Sequence, residues 1–167
     1  MLQGTEGPSP MTDSGPADPA RVAPAERRTR QPSLASSILV VDDDPVVLKL
    51  VARVLRRAGA AVTAVSSGRE AIRAIADGEA RPSILLSDID MPGMNGIELA
   101  ARIRSLRPDV VILLMTGNPD SAAAARAHPD QVVGVLLKPI TVEDLLAEVR
   151  HAATPSRPAP GPRRTRR

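Results

Sequence analysis

SILLSDIDMPGMNGIEL, residues 83–99, carries the strongest fold signal in the chain. Its apolar run Ile84, Leu85, Leu86 ends at the carboxylate of Asp88, Pro92 and Gly93 break the chain, and apolar residues then return at helical spacing. A short run of large apolar residues between polar breaks predicts a buried strand, so Asp88 is placed at a strand's carboxyl end. Three other runs close in the same way: ILVV (38–41) before Asp42 and Asp43, VVILLM (110–115) before Thr116, and VVGVLL (132–137) before Lys138. As parallel neighbours, these strands would gather three carboxylates, a hydroxyl and an ammonium at one edge of a sheet.

Working outward, helices fall between the strands. Asp44 and Pro45 open the first, with proline where a missing N–H costs nothing. Val47, Leu50, Val51, Val54 and Leu55 are expected on its inner face, and Gly59 ends it. Residues 61–65 form a weaker strand suited to a sheet edge. Ser67 and Glu70 make a capping box for the next helix. Residues 95–106 follow, with Leu99, Ile103 and Leu106 on one side, then a short alanine-rich helix over 121–127. Thr141 caps a last helix whose inward residues are Val142, Leu145, Leu146 and Val149. Five strands alternating with helices predict an α/β fold with a parallel sheet covered on both faces, because parallel connections need crossovers. Function in such sheets lies at the carboxyl ends of the strands.

The 167 residues allow one domain of ordinary size with tails. Residues 1–36 and 153–167 are rich in proline and poor in large apolar residues, and are expected to be disordered, leaving 37–152 as the domain. The net charge of +3 comes from the C-terminal segment, which carries five arginines and no acid; a solvated tail is expected there. The absence of cysteine excludes disulfides and thiolate chemistry. No apolar stretch is long enough for a membrane span and no secretory signal is present, so a cytoplasmic protein is expected. The absence of Phe, Tyr and Trp requires a core of aliphatic residues and methionine.

Taken singly, these site residues have ordinary readings. Asp42 to Asp44 could cap a helix, Asp88 could be a turn acid, and Thr116 a loop residue. Lys138 is more telling, since the chain uses 20 arginines and only two lysines. Together they demand more. Carboxylates about 4 Å apart repel by roughly 4 kcal/mol at an effective dielectric of 20, so they need a counter-ion or a raised pKa. Mg²⁺ is the fitting ion, since it takes carboxylate and carbonyl oxygens and shares its shell with phosphoryl groups. Lys138 and Thr116 would then hold the remaining phosphoryl oxygens. His128 and His151 are expected to be surface residues.

In this order and at these separations, ILVVDDDP, LLSDIDMPGMNGIEL, LLMTG and VLLKPI resemble the receiver domain of two-component response regulators. The resemblance covers about residues 38–150. It implies a doubly wound five-stranded parallel sheet of order 2-1-3-4-5, the flavodoxin-like receiver fold. Asp88 matches the phosphoacceptor, Asp42 and Asp43 the acidic pair at Mg²⁺, and Asp90 the backbone carbonyl ligand; Thr116 and Lys138 match the switch hydroxyl and the phosphate-binding lysine. Pro139 matches a proline usually preceded by a cis bond. The implied function is phosphoacceptance in a phosphorelay from a histidine kinase or histidine phosphotransfer protein, without classical enzymatic turnover. Output would come through an unidentified protein target, or the chain would act as a phosphate shuttle or sink.

The chain departs from the pattern at Val135, where receivers usually carry Phe or Tyr, so the swing of a ring cannot be the output signal. A monomer with no DNA-binding domain is expected. Two other readings stay open: a receiver-like module that binds a partner without being phosphorylated, and a haloacid dehalogenase-type phosphatase suggested by Asp88-Ile-Asp90. The order of the acidic motifs is against the second.

Overall fold

The computed structural model describes residues 34–154. Within them the order is β1 (Ser37–Val41), α1 (Pro45–Arg57), β2 (Ala61–Val65), α2 (Gly68–Ala76), β3 (Ile84–Asp88), α3 (Gly96–Leu106), β4 (Val111–Thr116), α4 (Pro119–Arg126), β5 (Gly134–Leu137) and α5 (Val142–Ala153). All strand pairs are parallel, in the order β2-β1-β3-β4-β5. The flavodoxin-like receiver topology expected from the sequence is thus the one observed.

Alternation along the buried strands divides the core into two layers. Ile38, Val40, Ile84, Leu86, Leu113 and Met115 pack with Val51 and Leu55 of α1 and Leu145 and Val149 of α5. On the other face, Leu39, Val41, Leu85, Ile112 and Leu114 meet Ala71 of α2, Leu99 and Ile103 of α3 and Ala125 of α4. Each large side chain fully buried this way contributes about 1.5–3 kcal/mol. Neither layer contains an aromatic ring, and close packing is reached with branched aliphatics, alanine and methionine.

Helix starts are fixed by side chains that satisfy otherwise unpaired backbone N–H groups. Asp44 accepts from Val46 N at 2.7 Å and Asn95 from Glu98 N at 2.8 Å. At α2, Ser67 accepts from Glu70 N while the Glu70 carboxylate reaches back to Ser66 N at 2.9 Å, one residue before the cap. Gly93, at φ +80°, makes the turn between β3 and α3 that L side chains disfavour. The peptide bond before Pro139 is cis.

Several expectations are adjusted. Leu50 was expected inward but is 59% exposed, because α1 turns Val51, Ala52 and Leu55 to the sheet and leaves Val46 and Leu50, one turn apart, outside. Val142 and Leu106, also expected inward, are exposed at the first residue of α5 and the last of α3. α4 begins at Pro119 rather than Ser121, with Asn118 as its cap, since proline fits the first turn. The packed region reaches past the expected limit at residue 37: Leu34 is buried and its N–H bonds to the Ala58 carbonyl. At the other end α5 continues to Ala153. The tails expected to be disordered otherwise lie outside the described residues. Among the described residues, no helix is long and apolar enough to cross a membrane.

Candidate functional site

Strand register brings the polar residues together. Val41 pairs with Ser87, Asp88 with Met115, and Thr116 with Leu137, so Asp42, Asp88, Thr116 and Lys138 all emerge at the carboxyl edge of adjacent strands. Two backbone bonds tie these ends: Ile89 N to Met115 O at 2.8 Å and Lys138 N to Thr116 O at 2.7 Å. Gly96 is required by close approach, because a Cβ there would lie 2.2 Å from the Asp88 carbonyl oxygen.

At the centre, the Lys138 ammonium donates to Asp88 Oδ1 at 2.6 Å and to Asp42 Oδ2 at 3.0 Å. The second oxygen of Asp88 accepts from Asp90 N at 2.7 Å, and that of Asp42 from Asp44 N at 2.9 Å. Both carboxylates are buried, at 5% and 1% exposure, while the Lys138 side chain is 26% exposed. Burial drives the Asp42 carboxyl above its ordinary value, against the opposing hydrogen bond from Lys138. For Lys138, burial alone would depress the ammonium, but the hydrogen bonds and charges of Asp88 and Asp42 outweigh it and leave it raised. The counter-charge that two buried carboxylates need is supplied here by an ammonium.

Thr116 is fully buried, and its hydroxyl is turned to the side chain of Asp90, donating to Oδ2 at 2.5 Å. Asn118 N donates back to Thr116 Oγ1 at 2.8 Å. The other oxygen of Asp90 accepts from Ser121 Oγ of α4 at 2.7 Å. The receiver resemblance implies only a backbone role for Asp90, the phosphatase reading makes it an acid, and neither singles out Ser121. The pair stands 31 residues apart, and no local pattern signals the contact. With its carboxylate held by Thr116 and Ser121, Asp90 is not placed as a general acid beside Asp88, as the phosphatase reading would need.

Asp43 is exposed and takes no part in the hydrogen bonds that join Asp42, Asp88 and Lys138. Among the described residues, no group of three or more His, Cys, Asp or Glu side chains is arranged around one point as a metal cluster. The donors at this edge are nonetheless all hard oxygens, and Asp43 faces solvent beside Asp42, a set whose chemistry suits a hydrated Mg²⁺ better than a softer metal. His128 and His151 are exposed, and His151 lines a cleft with Ser36, Ser83 and Thr154. Val135 is half-buried against the layer that contains α4.

Residues 38–150 match the family model described as the response regulator receiver domain. The DNA-binding transcriptional regulator NtrC of Escherichia coli K12 is 35% identical over 115 residues, 69% of this chain and 24% of that protein. The DNA-binding response regulator MtrA of Mycolicibacterium smegmatis is 33% identical over 120 residues, covering 71% and 50%. Among solved structures, response regulator TrrA of Thermotoga maritima, in complex with Mg²⁺-BeF, superposes with a TM-score of 0.62 at 26% identity, covering 70% of this chain and 98% of that one. The chain thus spans a quarter of NtrC and half of MtrA. This corrects the expected partner set: relatives in which the same region is one part of a longer DNA-binding regulator remove the grounds for expecting a monomeric chain with no DNA-binding domain.

Proposed function

Because the chain belongs to the response regulator receiver domain family, we propose that it accepts a phosphoryl group on Asp88 in a two-component phosphorelay, from a histidine kinase or a histidine phosphotransfer protein. The observation that carries this reading is the Asp88 carboxylate itself, buried at the end of β3 with Lys138 on one oxygen and the Asp90 amide on the other. Receiver domains are generally signalling modules of this kind rather than classical enzymes, and typically bind Mg²⁺ at the phosphorylation site.

A carboxylate oxygen of Asp88 attacks the phosphorus of the donor phosphoimidazole. The new O–P bond forms as the N–P bond breaks, and the imidazole leaves with the electron pair and takes a proton from water. Lys138, already within hydrogen-bond reach, follows the charge onto a phosphoryl oxygen, which is where an ammonium is most effective in a site screened from water. The Thr116 hydroxyl supplies a second donor once it turns from Asp90. Asp42, Asp43, Asp88 and the Asp90 carbonyl would hold Mg²⁺, which when bound neutralises the phosphoryl charge. Burial of Asp42 beside Asp88 is what makes an added positive charge favourable there.

The test is phosphoryl uptake from acetyl phosphate or a phosphorylated kinase with Mg²⁺, resolved by a phosphate-affinity gel. Wild type is expected to shift, and Asp88→Asn and the wild type with Mg²⁺ chelated are expected not to. An unshifted wild type, or a shifted Asp88→Asn, overturns the assignment.

A further inference from the structure

A receiver in which no ring can swing at position 135 needs another way to carry the state of Asp88 to its surface. One carboxylate stands between the buried switch hydroxyl and a helix: Asp90 takes Thr116 Oγ1 on one oxygen and Ser121 Oγ on the other. We propose that Asp90 and Ser121 form the coupling element of this chain, so that occupancy of Asp88 is read out as a change in the first turn of α4. The inference rests on the reading of Asp88 as phosphoacceptor.

Its physical basis is the valence of the hydroxyl. Thr116 has one proton to donate. Given to a phosphoryl oxygen at Asp88, it is withdrawn from Asp90, whose carboxylate then loses one of its two side-chain donors. The remaining donor is Ser121, so the carboxylate and the first turn of α4 must settle into a new arrangement together. α4 is suited to respond. It spans eight residues, its buried members are the small Ala122 and Ala125, and Arg126 reaches the Val135 carbonyl only at 3.5 Å. With so little apolar area holding it to the sheet, one charge-assisted hydrogen bond is a large share of its anchorage. Coupling of this kind is reciprocal, so a partner that draws α4 outward also biases Thr116.

The experiment compares wild type, Ser121→Ala and Ser121→Thr as full chains, using backbone amide NMR and amide hydrogen exchange, with and without beryllofluoride and Mg²⁺. Ser121→Ala places the best helix former in an alanine-rich turn, so the fold is retained. In wild type, the analogue is expected to shift the amides around Asp88 and those of residues 120–126. In Ser121→Ala the response around Asp88 persists while the α4 shifts fall at least threefold, and α4 amides of the free protein exchange about fivefold faster, the size expected for one lost hydrogen bond. Ser121→Thr, which keeps the hydroxyl, restores the wild-type response. Full α4 shifts in Ser121→Ala overturn this inference alone. No response around Asp88 in wild type overturns the phosphoacceptor reading, and the coupling with it.

Discussion

Lys138→Ala removes the ammonium between two carboxylates that are 5% and 1% exposed. Deleting one partner of a fully buried pair costs about 3–5 kcal/mol, because the other charge is left without compensation. Here the lysine side chain is 26% exposed, so water enters the vacated space, and we discount the loss to about 2 kcal/mol at neutral pH. For a folded region of this size that lowers Tm by roughly 8 °C. The pH dependence has a definite sign. Burial already holds the Asp42 carboxyl above its ordinary 3.8, and the Lys138 hydrogen bond is the main opposing influence, so the variant's Asp42 moves higher still. A carboxyl raised in the folded state binds its proton more readily there than in the unfolded chain. Its ionisation therefore subtracts stability above the folded pKa, and that penalty fades as pH falls through this value toward 3.8. The deficit of Lys138→Ala against wild type is thus largest near neutrality and narrows on acidification. It narrows again at alkaline pH, since the raised Lys138 contributes fully below 10.5 and loses its contribution as pH rises through the folded value. Thermal melts followed by far-ultraviolet circular dichroism across this range measure it. A variant melting within about 2 °C of wild type at pH 7, or a deficit that grows on acidification, would show that the Lys138 ammonium does not compensate these two carboxylates.

Two further substitutions probe a close contact beneath the site and an anchor of the segments that lead into β4 and β5. Gly96→Ala would set a Cβ 2.2 Å from the Asp88 oxygen and 2.9 Å from the Ile89 Cα; backbone atoms cannot rotate away, so overpacking of about 3 kcal/mol exceeds a helix-propensity gain of at most about 1 kcal/mol. Urea unfolding should show a net loss near 2 kcal/mol together with slower phosphoryl uptake, and an unchanged midpoint would show that the loop yields. Arg104→Ala withdraws guanidinium bonds to the carbonyls of Pro108, Val110 and Gln131 at 2.9, 3.0 and 2.8 Å. A loss of about 2 kcal/mol is expected with phosphoryl uptake retained, and a loss under about 0.5 kcal/mol would show those carbonyls equally well served by water.

What the sequence made legible was whatever depends on near neighbours along the chain or on burial. The four apolar runs reported strands because both faces of a parallel sheet are covered, and the residue ending each run was therefore placed at one edge. The caps at Asp44, Ser67, Asn95 and Thr141 lie within three residues of the groups they satisfy. Of the three carboxylates, hydroxyl and ammonium expected at one edge, Asp42, Asp88 and Lys138 are joined, whereas Asp43 faces solvent and Thr116 turns to Asp90. That Lys138 bridges Asp42 and Asp88 directly could not be read, because a flexible side chain chooses among several acceptors by local geometry. The Asp90 to Ser121 bond was hidden for a related reason: it joins a loop to the first turn of a helix whose start the sequence placed two residues late. Leu50 misled because an apolar stripe on a helix shows which residues can be buried, whereas the sheet's shape decides how wide a stripe is covered. Arg104 sits on a face where arginine is usually a solvated charge, and only the path of the chain around residues 108–131 reveals its three acceptors.

Both apolar layers are assembled without a single ring, and the full sequence contains no Phe, Tyr or Trp. The molecule is therefore optically dark in the near ultraviolet. When it is mixed with any kinase, target or antibody, all indole and phenol emission comes from the other component, and a titration can be followed on the unlabelled pair with no background to subtract. Its own concentration must be taken from peptide-bond absorbance or amino-acid analysis. Conversely, one tryptophan introduced at a chosen position would act as the sole native lamp in the chain.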